Sequence, residues 1–282
     1  MSENPLGIQT QYPQQYDAAL LYPVSRRLNR EQLGLDTDDL PFSGYDHWRA
    51  YELSWLLAGG KPVVAMADIF VPCNSPFLIE SKSMKLYFNS LNQHEFVDHE
   101  SVQNCIVDDL SRAAGKPVLV RLYELSAGLP RALHTGEPSH TVISLDNLQL
   151  EVNAYQPDAS LLTLEAAGAD AQCNISETLV SDLFRSNCPI TAQPDWGTIS
   201  ISYSGAAISH ASLLSYIISF RQHEGFHEHC VEKIYCDIQR MCAPQSLTVS
   251  INFLRRGGLE INPIRSSDAG TQAKALPRLL RQ

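Results

Sequence analysis

The chain has 282 residues, 44% hydrophobic and 18% charged, which is the balance of a folded globular protein with room for one large core or two of ordinary size. Its 21 basic and 31 acidic residues give a formal net charge of -10, which excludes nucleic acid as a direct partner, since phosphate neutralisation needs a basic face. The seven cysteines (73, 105, 173, 188, 230, 236 and 242) contain no C-x-x-C, so neither a zinc ribbon nor a thioredoxin motif is present. No basic region precedes an apolar run at the start, and no apolar run reaches membrane-spanning length, so a cytoplasmic protein with no membrane partner is expected.

Residues 1–60 are rich in Pro, Asn, Asp and aromatics, with weak periodicity until YELSWLLAGG at 51–60, and read as an N-terminal extension. KPVVAMADIFV (61–71) predicts a strand. SMKLYFNSLNQ (83–93) and SVQNCIVDDLSRAAG (101–115) each place apolar residues on one helical face, and KPVLVRLYEL (116–125) is again strand-like. Residues 126–180 carry a further strand candidate in TVISLDNLQLEV. GTISISYSG (197–205) alternates as a half-buried strand, and helical stripes follow in ASLLSYIISFRQ (211–222) and CVEKIYCDIQRMC (230–242). SLTVSINFL (246–254) alternates as the closing strand. Strand, two helices, strand therefore occurs twice. This predicts an α+β protein of two similar modules, helices grouped on one face of antiparallel sheets, the first over 61–180 with a variable insert and the second over 181–282.

The run HEGFHEHC (223–230) contains H-E-x-x-H, the spacing of a zinc metallopeptidase helix. Zinc binding requires one continuous helix, so that both imidazoles point the same way. Here one apolar phase ends at the motif and another starts near 227, with Gly225 between them as a helix C-terminal residue, so the motif straddles a turn. His223 and His229 then read as polar turn residues. The cysteines at 230, 236 and 242 do not supply the missing ligands, because each six-residue step rotates about 240° around a helix.

Two other segments carry candidate chemistry. In SNCPITAQPDWG (186–197), Cys188 and Asp195 are each flanked by proline and suit a nucleophile with its acid/base partner; the alternative is a small buried thiol. In IESKSMKLYFNS (79–90), the start of the first helix with Lys82 and Lys85 suits a phosphate, or else is a capping segment in which Ser81 and Ser83 compete as N-caps.

ESKSMKLYFNS, SNCPITAQPDWG, the FHEHC run and RRGGLEINPIR (255–265) together resemble 7-cyano-7-deazaguanine reductase, the NADPH-dependent nitrile reductase of queuosine biosynthesis, in its long two-module form. RRLNREQLGL, LPFSGYDHW and YELSWL extend the likeness to the N-terminal part. The resemblance implies tandem tunnelling-fold (T-fold) modules and a homodimer. It implies that Cys188 is the nucleophile forming a thioimide with the nitrile carbon, that Asp195 transfers protons and that His227 assists. It implies substrate contacts from Ile79, Glu80, Ser81, Phe226, His227 and Glu228, the two glutamates accepting the paired N–H donors of a deazaguanine. Contacts to NADPH, two consumed per turnover, are implied for Ser81, Lys82, Arg256 and Gly257, with no metal ligand. A zinc-dependent T-fold hydrolase and a non-catalytic purine-binding module are the alternatives.

Overall fold

Apolar alternation and helical stripes build the elements in the computed structural model, which describes residue 13 and residues 15–125, 142–165 and 174–282. The first half holds β1 (Pro23–Ser25), α1 (Arg27–Gln32), β2 (Ser43–Leu57), β3 (Lys61–Pro72), β4 (Phe77–Ile79), α2 (Ser81–Ser90), β5 (Glu95–Phe96), α3 (His99–Ala114) and β6 (Leu119–Glu124). The second holds β7 (Val142–Ser144), β8 (Ile175–Ser181), β9 (Arg185–Asn187), β10 (Pro194–Gly205), α4 (His210–Ser219), α5 (His227–Cys242), β11 (Ser246–Phe253) and β12 (Leu259–Ser266). Of TVISLDNLQLEV only Val142–Ser144 is a strand; Cys173 and residues 126–141 lie outside the described residues.

One sheet runs β6-β3-β2-β12-β11-β10-β8-β7, with β5 beside β2 and β9 beside β10. The order along this path is antiparallel except for β7 against β8. The strand β2, within the stretch read as an extension, joins the two halves: it pairs with β3 on one side and with β12 on the other, from Leu259 opposite Ala50 to Ser266 opposite Ser43. Because side chains alternate along a strand, Asp46, Trp48 and Ala50 of β2 face the helices. Tyr45, His47 and Arg49 face the C-terminal segment, which crosses the opposite side of the sheet. There the Tyr45 hydroxyl donates to Lys274 O at 2.7 Å and Leu276 N–H donates to His47 Nδ1 at 3.3 Å.

The helices lie on one face over two adjoining hydrophobic cores, one per half. The first half packs Trp48, Trp55, Ile69, Met84, Tyr87, Ile106 and Leu110; the second packs Ile199, Ile201, Leu213, Ile217, Ile234, Ile238 and Phe253. A polar signature repeats with them. Tyr87 of α2 donates to Asp109 of α3 at 2.8 Å, and Tyr216 of α4 donates to Asp237 of α5 at 2.7 Å. Arg112 and Arg240, three residues after each aspartate, complete the same pair of contacts. The two halves are therefore α+β modules of one plan, with helices on one face of an antiparallel sheet, as expected. Among the described residues no helix is long and apolar enough to cross a membrane.

Where the modules meet, charge rather than hydrocarbon fills the space. Glu232 of α5 accepts from Arg30 of α1 at 2.7 Å and from Arg265 of β12 at 2.8 Å. Arg265 also donates to Asp46 at 2.9 Å, and Asp46 takes Arg26 on its other oxygen. All five side chains are buried. Burial opposes ionisation of Glu232, but Arg265, Arg30 and Arg26 outweigh it and bring its pKa down to about 2. A depressed carboxylate stabilises the fold above its unfolded value, and that contribution is lost as pH falls from the ordinary glutamate range towards 2. Glu232→Gln is expected to lower the unfolding free energy at pH 7 by about 3–5 kcal/mol in urea denaturation, because it strands two buried guanidiniums. The difference should narrow as the titration is taken below pH 4.5; an unchanged midpoint at pH 7 would show that the cluster is not a stabilising element.

Candidate active site

The loop between β9 and β10 presents Cys188. Its backbone N–H donates to Gln193 O at 2.9 Å and its carbonyl accepts from Ala192 N–H at 2.9 Å, closing a tight turn around Pro189. Ala192 takes a left-handed φ of +54°, a conformation costly for a residue with a Cβ. Partial burial of the thiol opposes ionisation. The Thr191 hydroxyl and the backbone amides of Ile190 and Thr191 outweigh both that burial and the nearby Asp195, so the Cys188 pKa lies below the ordinary thiol value. Such a thiol is more readily available as the nucleophilic thiolate.

Seven residues on, Asp195 lies on the inward face of β10, opposite Ser186 of β9. Its Oδ1 accepts from Arg256, and its Oδ2 lies 3.4 Å from His227 Nε2. Arg256 also donates to Gln193 Oε1 at 2.5 Å, so one guanidinium ties Asp195 to the Cys188 loop. Arg256 opens the two-residue turn between β11 and β12, where Gly257 and Gly258 have φ of +58° and +78°, as a tight hairpin of the favoured twist requires.

The H-E-x-x-H run does straddle a break. A short 3-10 turn, Phe220–Gln222, ends at His223, and α5 starts at His227 with Phe226 as its N-cap. Gly225 is not a left-handed cap, contrary to expectation. Its N–H donates to Asn187 O at 3.0 Å, and a Cβ there would stand 2.9 Å from His223 Nε2. The backbone bond to Asn187 ties the junction to β9 and so sets the start of α5 against the Cys188 loop, while a side chain at 225 would crowd the His223 ring. His223 is half-buried and His229 buried, not the surface residues expected: burial lowers both, His223 to about 4 with His229 and Lys233 adding to it, while Glu232 opposes the shift at His229. His227 stacks face to face on Phe253, ring centroids 3.7 Å apart.

Glu228 follows on the first turn of α5 and is only 3% exposed. Burial chiefly, with Asp46, raises its pKa, against the pull of Arg26 and His227. Glu80 is differently engaged: it is the N-cap of α2, where the sequence suggested Ser81 or Ser83, and accepts from Lys82 N–H at 2.9 Å and Ser83 N–H at 2.7 Å. The α2 amides are thus already occupied, and Lys85 pairs with Glu52 instead of framing a phosphate site.

A single cavity of about 610 Å³, open to solvent, gathers these groups. Ile79, Glu80, Ser81, Cys188, Asp195, Phe226, His227, Glu228 and Arg256 line it. Lys82 and Gly257 do not; both are exposed on neighbouring surface. Apolar walls from Leu78, Ile190, Leu254, Leu259 and Ile261 were not anticipated, although Leu254 ends an alternating strand pattern. Thr191 was also missed; a hydroxyl three residues after a cysteine was its only local signal. The arrangement offers a thiol of lowered pKa, a carboxylate–imidazole pair and a buried carboxylate around one cavity, which suits addition to an electrophilic carbon on a ligand bearing hydrogen-bond donors.

Comparison with known proteins agrees with this geometry. Residues 12–122 match the family described as nitrile reductase, 7-cyano-7-deazaguanine-reductase N-term, and residues 194–272 match QueF-like protein. An NADPH-dependent 7-cyano-7-deazaguanine reductase of Bordetella avium is 49% identical over 283 residues, covering 100% of this chain and 99% of the relative. Relatives of the same name from Aromatoleum aromaticum and Burkholderia orbicola are each 50% identical, covering 95% and 94% of this chain and 92% and 93% of their own lengths. The chain belongs to the NADPH-dependent 7-cyano-7-deazaguanine reductase family of oxidoreductases.

Proposed function

We propose that this enzyme reduces the nitrile of 7-cyano-7-deazaguanine to the aminomethyl group of 7-aminomethyl-7-deazaguanine in queuosine biosynthesis, through a covalent thioimide on Cys188. The observation that carries the reading is the convergence of the Cys188 thiol, its pKa lowered from the ordinary value, Asp195 and the buried Glu228 carboxylate on one cavity. The Cys188 sulfur adds to the nitrile carbon; one C–S bond forms, one π bond of the nitrile breaks, and the thiol proton ends on nitrogen. Asp195, beside the loop and 3.4 Å from His227, holds and moves that proton. His227, fixed by its stack on Phe253, serves the proton transfers that follow once the thiol has left. Glu228 and Glu80 accept the ring N–H and exocyclic amine of the deazaguanine from opposite modules, and Phe226 and Ile79 flank the ring.

The residues present fit a phosphate-bearing dinucleotide. Arg256 stands at the cavity with its guanidinium part-exposed, Lys82 is exposed beside Ser81, and open space surrounds the position of a Cβ at Gly257. NADPH, when bound there, supplies the hydride equivalents, two per turnover. Metal plays no part in this reading, the substrate is a free deazapurine and not a nucleic acid, and the enzyme works in the cytoplasm as a homodimer.

Cys188→Ala is expected to abolish substrate-dependent NADPH oxidation, by about three orders of magnitude or more. Wild-type protein mixed with the nitrile alone should gain the mass of one substrate on the peptide containing Cys188. Normal turnover by the alanine variant would rule out the covalent route. Activity should also survive exhaustive chelation; loss restored by zinc would favour a metal-dependent reading.

Glu228→Gln separates recognition from stability. A carboxyl with a raised folded pKa weakens the fold as pH rises through that value, so the amide should raise the melting temperature of ligand-free enzyme at pH 7 to 8. The gain should vanish below the ordinary glutamate pKa of 4.5. Substrate affinity should fall about tenfold or more, one hydrogen-bonded charge having been removed. A variant that binds normally would take Glu228 out of recognition.

A further inference from the structure

One side chain reaches both parts of the Cys188–Asp195 pair from a different hairpin. Arg256 donates from one terminal nitrogen to Gln193 Oε1 at 2.5 Å and from the other to Asp195 Oδ1. Gln193 closes the Cys188 turn, because its carbonyl accepts the Cys188 N–H at 2.9 Å. Asp195 is buried at the cavity, and with Oδ1 taken by Arg256 its Oδ2 lies towards His227, 3.4 Å from Nε2. The guanidinium thus fixes the loop that presents the thiol and, at the same time, which carboxylate oxygen is turned to the imidazole.

The root of Arg256 is itself held. Its N–H donates to Leu259 O at 2.9 Å and its carbonyl accepts from Leu259 N–H at 3.1 Å, closing the hairpin between β11 and β12. Leu254 N–H donates to Trp196 O at 2.9 Å, next to Asp195. The tip is tied to the first module, where Tyr51 N–H donates to Gly258 O at 3.0 Å and Arg255 lies 4.9 Å over the Tyr51 ring. An ion pair made by a side chain 35% exposed adds little to stability. What two bonds from one planar fork supply is orientation, since the fork cannot turn to suit one acceptor without leaving the other. A guanidinium kept only for a dinucleotide phosphate would need neither bond.

We propose that Arg256 is a positioning residue for the first chemical step: it aligns Asp195 with the Cys188 loop for addition of the thiol to the nitrile, and it does so before any dinucleotide binds. This rests on the covalent reading of the preceding subsection. In that step sulfur bonds to the nitrile carbon, one π bond of the nitrile breaks and the thiol proton ends on nitrogen, so no electron donor is consumed. A residue that served the dinucleotide alone would leave the step untouched.

The test is the rate of adduct formation in full-length enzyme mixed with 7-cyano-7-deazaguanine and no NADPH, followed by quenched-flow mass spectrometry. Nitrile affinity is measured beside it by calorimetry, with each substitution placed in Cys188→Ala protein so that no adduct forms. Arg256→Ala is expected to slow adduct formation about ten- to a hundredfold while affinity changes by less than about twofold, because misplaced reacting groups cost rate and not binding. Gln193→Leu severs only the tie to the loop and should slow the step about fivefold, the worth of one hydrogen bond. An Arg256→Ala enzyme that forms the adduct at the parental rate, with its loss confined to NADPH-dependent turnover, would overturn the proposal. So would a fall in nitrile affinity that matches the fall in rate. Should Arg256→Ala fail to fold, Gln193→Leu decides, and an unslowed adduct rate overturns it. Failure of the covalent reading is distinguishable, since wild-type enzyme would then form no adduct at all.

Discussion

Buried charge in need of a partner is the constraint around which this molecule is arranged. A guanidinium or carboxylate taken out of water is tolerated only in company, and the company here comes from far apart in the chain. Arg30 and Glu232 are 202 residues apart, and Arg265 and Asp46 are 219 apart. Satisfying those pairs requires α1, β2, α5 and β12 to meet in one register. Apolar packing alone would allow the two halves to slide along the β2–β12 seam by two residues and keep the same face inward. The five charges do not allow it, and they thereby fix the start of α5 relative to the first module.

That placement is what makes a site. The Cys188 loop hangs from β9 and β10 of the second module, while Glu80 caps α2 of the first. Only when the seam is in register do Glu80 and Glu228 border the same cavity. The backbone bond from Gly225 N–H to Asn187 O does the local part of the work, holding the junction before α5 next to Cys188. Long-range electrostatics and one close backbone approach thus act on the same helix end.

The sequence showed local order well and partnership poorly. Strands such as GTISISYSG and stripes such as CVEKIYCDIQRMC announce themselves, because burial repeats with the period of the element. The break in H-E-x-x-H was also legible, through the change of apolar phase. What remained hidden were exchanges among polar side chains. Glu80 displaces two serines as the cap of α2, which propensity ranks the other way. His223 is half-buried and His229 buried, and burial lowers the pKa of both, although their neighbours suggested a wet turn. Lys85 is paired with Glu52 across 33 residues. The strand β2 begins at Ser43, eight residues before its apolar run, because its early positions are polar residues facing polar partners.

Glu228 shows why such a site is costly to the fold and is retained nonetheless. A carboxylate whose pKa is raised chiefly by burial lowers stability at neutral pH, and an amide would be the more stable choice. On the proposed reading, a ligand carrying two adjacent N–H donors is accepted by that carboxylate at the open side of the cavity. The cluster that stabilises the fold and the carboxylate that weakens it are on successive turns of one helix. Recognition is in this sense drawn from the same electrostatic balance that sets the register of the sheet.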